Sequence, residues 1–472
     1  MDIAPAHDVP TAWSGPVSEN QHRALFLEAL RPDDPPAVLR TAVVLPADVD
    51  LARLRDAFHC ISRVQGAFRT AFDRLPEGFL QRVAPDGALE PEDGRYGAAH
   101  ASLIEALTCT DLFADLHPPI RAFGPAPLAR ANLLRCADGR VVLILSCHHV
   151  IFDGVSSAIL ARQLIELYAA DDRAAATQAL CAACAPYHAY VAEERVWLGS
   201  ERAAQLVAFW KSHLAGVAAQ WPATPSPPGQ PTSTRVRIAA ETTAALEVLC
   251  RDHALTLHVV LLACFQLAIA ASTGQLDVLT ATPTKNRPSR YAHTVGFFVN
   301  PVVVRHRIDR AHTLLESVLA LRSSAALGYR HGGLPLRRLM RELFPAQIGQ
   351  RNPLFQSWFS IQVQTAGSEL EAMHGLSVHN LPAGRAALVD HALELQIADR
   401  GLVGHLIVDR RLAGDPDPAA AFLAIVQALA SDPETPLRRI FAAAIARAPA
   451  NRSNPRMGRG DSGVAFVEEG EA

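Results

Sequence analysis

Within Ser146-Cys147-His148-His149-Val150-Ile151-Phe152-Asp153-Gly154, two adjacent histidines, an aspartate and a glycine follow directly on the pattern of a buried strand. Residues 141–145 form a continuous apolar run of strand length, and Ser157 to Tyr168 repeats apolar side chains at helical spacing (Ile159, Leu160, Leu164, Leu167, Tyr168). The histidines are therefore expected on a strand-to-helix turn. An imidazole in such a turn can face a cleft and take a proton from an attacking amine or hydroxyl, which is the base chemistry of acyl transfer. Gly154 would let backbone approach closely. Asp153, four residues after His149, reads as structural: it could pair with a buried arginine and fix the loop.

Two plainer readings compete with this one. Adjacent histidines on an extended segment point to opposite sides, so a shared metal site is not favoured. A solvated loop without chemistry also fits so short a pattern. The rest of the chain decides between them.

The 472 residues are 49% hydrophobic and 19% charged with a formal net charge of -3, which places the chain among globular proteins long enough for two core-bearing lobes. A balance this close to neutral offers no basic stripe for phosphate contacts, so nucleic acid is not an expected partner. The start, Met1-Asp2-Ile3-Ala4-Pro5, has neither a basic n-region nor an apolar h-region, and secretion is not signalled. The longest apolar segment, His258 to Ala271, is broken by Gln266 and is too short for a membrane span, so it is expected as a core helix. Cysteines at 60, 109, 136, 147, 181, 184, 250 and 264 lack the density of a disulfide framework, and reduced thiols in cytoplasm fit them best. Cys181 and Cys184 form one Cys-x-x-Cys without a second pair, so a helix-filling role is expected rather than zinc or redox chemistry.

Composition also marks the connections. Gly216 to Thr234, rich in proline, serine and threonine, reads as a surface connection. Glu241 to Ala271 shows helical periodicity twice, with Thr256 as a cap between the pieces and Gly274 as a C-terminal stop. From Ala450 onward glycine, asparagine and charge dominate, and residues 450–472 are expected to be a disordered tail. Its Val464-Ala465-Phe466-Val467-Glu468-Glu469 run could add to a partner's sheet edge.

With these segments placed, the chain resembles the condensation domains of nonribosomal peptide synthetases along nearly its whole length. Ser18-Glu19-Asn20-Gln21-His22-Arg23 is similar to the family's Ser-x-x-Gln-x-Arg opening, followed by Phe68-Arg69-Thr70-Ala71-Phe72 and then the His-His-x-x-x-Asp-Gly segment. Tyr187-His188-Ala189-Tyr190, Phe209-Trp210, Thr273-Gly274-Gln275 and Arg287 continue the series. Val295-Gly296-Phe297-Phe298-Val299-Asn300 resembles the Gly-x-Phe-Val-Asn segment, and Arg351-Asn352-Pro353-Leu354-Phe355-Gln356 the Arg-Asn-Pro-Leu-Phe-Gln one. Each match is short; their shared order carries the resemblance. Phe297, Phe298, Leu354 and Phe355 read individually as core or channel-wall packing.

The resemblance implies an α/β fold of two chloramphenicol-acetyltransferase-like lobes, arranged as a V around a central active-site tunnel. The N-terminal lobe (1–180) would carry the histidine motif, and residues 181–449 would form the C-terminal lobe. The implied activity is acyl transfer from a thioester to an amine or alcohol acceptor, forming an amide or ester in nonribosomal peptide or hybrid polyketide biosynthesis, or releasing a chain. The thioester would sit on the phosphopantetheine arm of an acyl or peptidyl carrier protein. His149 would take or orient the nucleophile's proton, His148 would support the loop, and the Gly154 region would offer an N–H to the oxyanion. Arg287, which alone reads as a solvated charge, would bridge to Asp153. No metal or cofactor bound by this chain is required, and the pantetheine belongs to the partner. A monomer acting in trans, without nucleic acid or membrane, completes the expectation.

Leu25 stands where the family often has tryptophan, Val64-Gln65-Gly66 where Arg-His-Glu is typical, Ala189 where aspartate is, and Val155 where an aromatic is, which marks a divergent member. Other functions share parts of the pattern. Epimerization-type relatives carry the histidine motif, but the Phe-Val-Asn and Asn-Pro-Leu-Phe-Gln segments look like the condensing type. Plant-type acyltransferases using acyl-coenzyme A also carry an Asp-Phe-Gly-Trp-Gly segment that is absent here. A non-catalytic recruitment module remains the alternative, against which the complete setting of His149 argues.

Overall fold

The computed structural model describes residues 12–87, 89–95, 119–124, 127–136, 139–217, 231–345, 354–362, 377–381, 389–398, 400–409 and 417–446. The Arg351-Asn352-Pro353 segment, residues 218–230 of the proline-rich connection and the whole 450–472 tail lie outside them.

In the first half, apolar strands, the central one buried on both faces, form a sheet that two amphipathic helices cover. Strands β2 (Val38–Leu45), β6 (Ala129–Arg135) and β7 (Val141–His148) pair antiparallel, with β5 (Pro91–Arg95) parallel to β6 at one edge. Helix α2 (Leu51–Val64) places Leu54, Phe58 and Ile61 on one stripe, and α3 (Gly154–Ala169) places Ile159, Leu160 and Leu164 on another. Both stripes join the core of this sheet, where about 25 cal/mol per Å² of buried apolar surface drives packing. A small sheet of β1 (Trp13–Pro16), β4 (Gly78–Val83) and β3 (Thr70–Leu75) adjoins it, with α1 (Glu19–Leu30) between β1 and β2 in sequence. Helix α4 (Arg173–Ala183) then leads to α5 (Tyr187–Leu198) and α6 (Glu201–His213).

The second half is built around α8 (Leu257–Thr273). Every residue from Val259 to Ala270 is buried, which is the burial of an all-round apolar helix in a core. Thr256 accepts the Val259 N–H at its start, and Gly274 ends it in the left-handed conformation at φ 78°, so both expected helix signals act. Around α8 lie α7 (Ala240–Asp252), β9 (Asp277–Thr284), β10 (Asn300–Arg307) and α9 (Leu314–Arg330), while α10 (Leu336–Leu343) packs with α6 in a separate cluster. The chain continues through β11 (Ser357–Gln362), β12 (Ser377–Leu381), β13 (His391–Ala398), β14 (Gly401–Asp409), α11 (Pro418–Ser431) and α12 (Leu437–Ala446). The second sheet runs β10-β9-β11-β13-β14-β8, with β8 (Pro231–Ile238) at its edge.

Three details differ from the sequence reading. The end of the supposed surface connection, Pro231 to Thr234, is the start of edge strand β8, a place where proline costs no ladder bond. The 180/181 boundary falls inside α4, and β12, from the second half, pairs antiparallel with β2 of the first sheet. Cys181 is exposed on α4, and Cys184 at its C-cap packs partly buried against the first core. Among the described residues no single helix is long and apolar enough to cross a membrane.

Candidate active site

Strand β7 ends at His148, and residues 149–153 turn into α3. The first sheet thus delivers both histidines to the helix N-terminus. The His149 N–H donates to the Ala37 carbonyl at 2.7 Å, which ties the turn to the residue before β2. Its ring Nδ1 lies 2.6 Å from the Phe152 carbonyl oxygen. A carbonyl only accepts, so Nδ1 carries the proton and Nε2 is the basic atom of the imidazole. The Phe297 ring, from the second half of the chain, rests against this imidazole at 4.6 Å between centroids.

His148 points the other way. Its Nδ1 accepts the Val150 N–H at 3.2 Å and its Nε2 donates to Glu28 at 2.7 Å, so both nitrogens are spent on structure. Burial pushes the Glu28 carboxyl up, but the donors on His148 and Ala122 outweigh it and hold the group below its ordinary value. Gln21, also on α1, donates to the Val150 carbonyl at 3.2 Å. Helix α1 therefore braces the turn at two points.

Asp153 is fully buried and caps α3. Its Oδ1 accepts from the Ser156 N–H, the Ser156 hydroxyl and Arg287 Nη2, each at 2.8 Å. Its Oδ2 accepts from the N–H groups of Phe298 at 3.0 Å and Val299 at 3.3 Å. Arg287 also donates to the carbonyls of Thr294 and Tyr291, and its guanidinium stacks on the Phe298 ring at 4.0 Å. Burial lowers the Arg287 pKa and the Asp153 charge works against that fall. Asp153 and Arg287 thus form a buried ion pair in which every oxygen of the carboxylate is occupied. An aspartate so engaged holds the chain together and has no lone pair directed at a reactant.

Gly154, the first residue of α3, is exposed, and a Cβ there would meet no atom within 4 Å. The close backbone approach expected at Gly154 is not made by this chain. Open space lies beside it instead. An N–H at the first helical position has no partner within its own helix and sits at the positive end of the helix dipole.

Several residues of this neighbourhood have bonding roles that the sequence did not assign. Gln65, in the stretch that departs from the family pattern, donates to Gln163 and to the His293 carbonyl and accepts the Val295 N–H at 2.9 Å. Ser156 Oγ accepts the Gly296 N–H at 3.1 Å. The Tyr187 hydroxyl donates to the Phe297 carbonyl at 2.7 Å and meets Ser18 Oγ at 3.1 Å. Asn300 anchors the far end of this loop by donating to the Gly332 and Leu334 carbonyls. Phe298, Leu354 and Phe355 are core residues. Among the described residues no group of three or more His, Cys, Asp or Glu side chains is arranged to hold a metal ion.

A second buried carboxyl joins α5 to α1. Glu194 on α5 accepts the Glu19 N–H at the start of α1 at 2.8 Å and the Tyr190 hydroxyl at 3.1 Å. Burial raises its pKa to about 7 despite these donors.

Comparison with known proteins places this geometry. A family model described as "Condensation domain" matches residues 14–399. A linear gramicidin synthase of Brevibacillus parabrevis is 30% identical over 367 residues, 74% of this chain and 7% of that protein, so the chain spans under a tenth of that relative's length. Among solved structures, the condensation domain of the Monacolin K polyketide synthase MokA matches with a TM-score of 0.72 at 17% identity, covering 90% of this chain and 100% of that one. The first condensation domain of the CDA synthetase matches at 0.70 and 18% identity, covering 90% and 98%. These likenesses establish the mixed α/β, chloramphenicol-acetyltransferase-like fold.

Proposed function

Since the chain belongs to the condensation-domain family of synthetases, we propose that it transfers an acyl group from a carrier-protein phosphopantetheine thioester to an amine or alcohol. The observation that carries this reading is the tautomer of His149. With Nδ1 donating to the Phe152 carbonyl, the basic Nε2 belongs to a partly exposed ring on the turn that leads to the open helix start at Gly154. The acceptor N–H or O–H is oriented by Nε2, and its lone pair attacks the thioester carbonyl carbon. As the new C–N or C–O bond forms, the proton passes to Nε2 and negative charge develops on the carbonyl oxygen. The first N–H groups of α3 and the positive end of its dipole stabilise that charge. Collapse breaks the C–S bond, and the proton returns to the departing thiolate. The products are an amide or ester and a free pantetheine thiol. The thioester supplies the activated carbonyl and the protein supplies proximity, so neither a metal nor a cofactor held by this chain takes part.

The carrier protein and its pantetheine are thus a partner's contribution, and the setting is cytoplasmic secondary-metabolite synthesis. Incubating the protein with an acyl-loaded carrier and a panel of amines and alcohols, followed by intact-protein mass spectrometry, tests the reading. Loss of the acyl mass from the carrier, matched by an acylated acceptor and dependent on His149, is the expected result. Carrier that stays loaded with every acceptor class would leave the recruitment reading in its place.

A further inference from the structure

The loop between Thr294 and Asn300 divides its aromatic side chains between two directions. Phe298 joins a cluster with Tyr187, Tyr190 and Tyr291, while its neighbour Phe297 turns to the His149 ring. The backbone that carries Phe297 is held on every side. Val295 N–H donates to Gln65, Gly296 N–H to Ser156, and the N–H groups of Phe298 and Val299 to Asp153. The Phe297 carbonyl accepts from Tyr187, and Asn20 donates to the Val299 carbonyl at 3.0 Å. Gly296 is squeezed against the Tyr187 ring, where a Cβ would stand 2.4 Å from a ring carbon. A loop fixed this tightly has one placement for the Phe297 ring. That ring is 8% exposed and covers one side of the imidazole.

A histidine ring on a turn rotates about two side-chain bonds, and packing against a fixed neighbouring ring restricts both. We infer that Phe297 is a positioning residue for His149: its ring holds the imidazole in the orientation that keeps Nδ1 on the Phe152 carbonyl and Nε2 as the basic atom. The orientation stands on geometry alone, and only its effect on turnover rests on the acyl-transfer reading. The chain from Tyr187 through the Phe297 carbonyl to the Phe297 ring then couples α5 to the base. The pairing between halves that Asp153 and Arg287 maintain serves this placement.

The test uses full-length protein labelled with ¹⁵N-histidine, with the His149 signals identified by their loss in His149→Ala. Wild type should show one protonated and one unprotonated ring nitrogen. Phe297→Leu keeps an apolar side chain in the site but removes the ring. It should average the two nitrogens toward each other and lower kcat about 10- to 100-fold while KM stays within about twofold, because misplacing a base acts on the transition state. Phe297→Tyr restores the ring and should restore both readouts. Tyr187→Phe, which frees the Phe297 carbonyl and also removes the contact with Ser18 Oγ, should show the same nitrogen averaging in milder form and serves if Phe297→Leu does not fold. An unchanged nitrogen pattern in the leucine variant overturns the inference, whether kcat falls or not, since a kcat loss without it means that Phe297 acts on the substrate. A changed pattern beside full turnover by His149→Ala keeps the positioning role and removes the acyl-transfer reading instead.

Discussion

Breaking the Asp153–Arg287 pair from each side should cost unequal amounts. The two side chains are 1% and 5% exposed, so solvent screens neither. Asp153→Ala removes the cap of α3, worth about 1 kcal/mol. It also leaves the Arg287 guanidinium buried without its counter-charge, at about 3 to 5 kcal/mol. Arg287→Met leaves Asp153 with the Ser156, Phe298 and Val299 N–H donors still in place, so the remaining carboxylate is largely satisfied. Its cost should be nearer the loss of hydrogen bonds to a charged group, about 1.5 to 3 kcal/mol. The double variant carries no unpaired charge and should fall short of the sum by roughly 1 to 3 kcal/mol. Urea unfolding of the four proteins at neutral pH, followed by circular dichroism, reads all three numbers. Additivity within about 0.5 kcal/mol would refute the contact, and a costlier Arg287→Met would refute the asymmetry.

His149→Ala should lower turnover by about 10²- to 10⁴-fold without moving the melting temperature, as losing a placed base does; turnover within threefold of wild type removes His149 from the mechanism. Gly154→Ala should fold at least as stably as wild type, since the added methyl meets nothing, yet turn over slowly because that methyl enters the open space at the helix start that the proposed transfer uses. Wild-type kcat/KM in this variant would show that the space is not the substrate's. Glu194→Gln reports on the α1–α5 contact. The folded pKa of Glu194, about 7, lies above its ordinary 4.5, so the wild-type stability held below pH 4.5 is lost as pH rises through 7. The glutamine variant should match wild type in acid and exceed it above pH 7, with a ceiling of about 3 kcal/mol, and melting curves that differ equally at pH 5 and pH 8 would refute this.

What could be read from the sequence was what short-range physics fixes. The strand into His148, the helix after Gly154 and the Thr256 and Gly274 ends of α8 follow from periodicity and cap chemistry within a few residues. The braces of the turn did not show. Glu28 lies 120 positions from His148 and reads, on a helix surface, as a solvated acid. Gln65 reads as a departure from a family pattern, although it fastens the loop at Val295 across 230 positions. The short strand β12 has too few residues to announce that it completes the first sheet rather than the second. In each case the partner lies far along the chain, and neither propensity nor spacing encodes it.

That division also bears on catalysis against recruitment. Asp153, Arg287, Ser156 and Gln65 are all consumed by joining the two halves, so a member of the family without activity would need them just as much. His149 and Gly154 stand apart from that requirement. The His149 ring makes a bond to a carbonyl three residues on, which any donor could make or water could replace, and Gly154 sits at a φ and in a space that would accept a side chain. A chain serving only as a docking platform has no physical need for a base in a single tautomer on the turn before α3. Acyl transfer uses a base for the nucleophile's proton and N–H donors for the oxyanion, which is why these two residues, and not the more heavily bonded Asp153, carry the case for an enzyme.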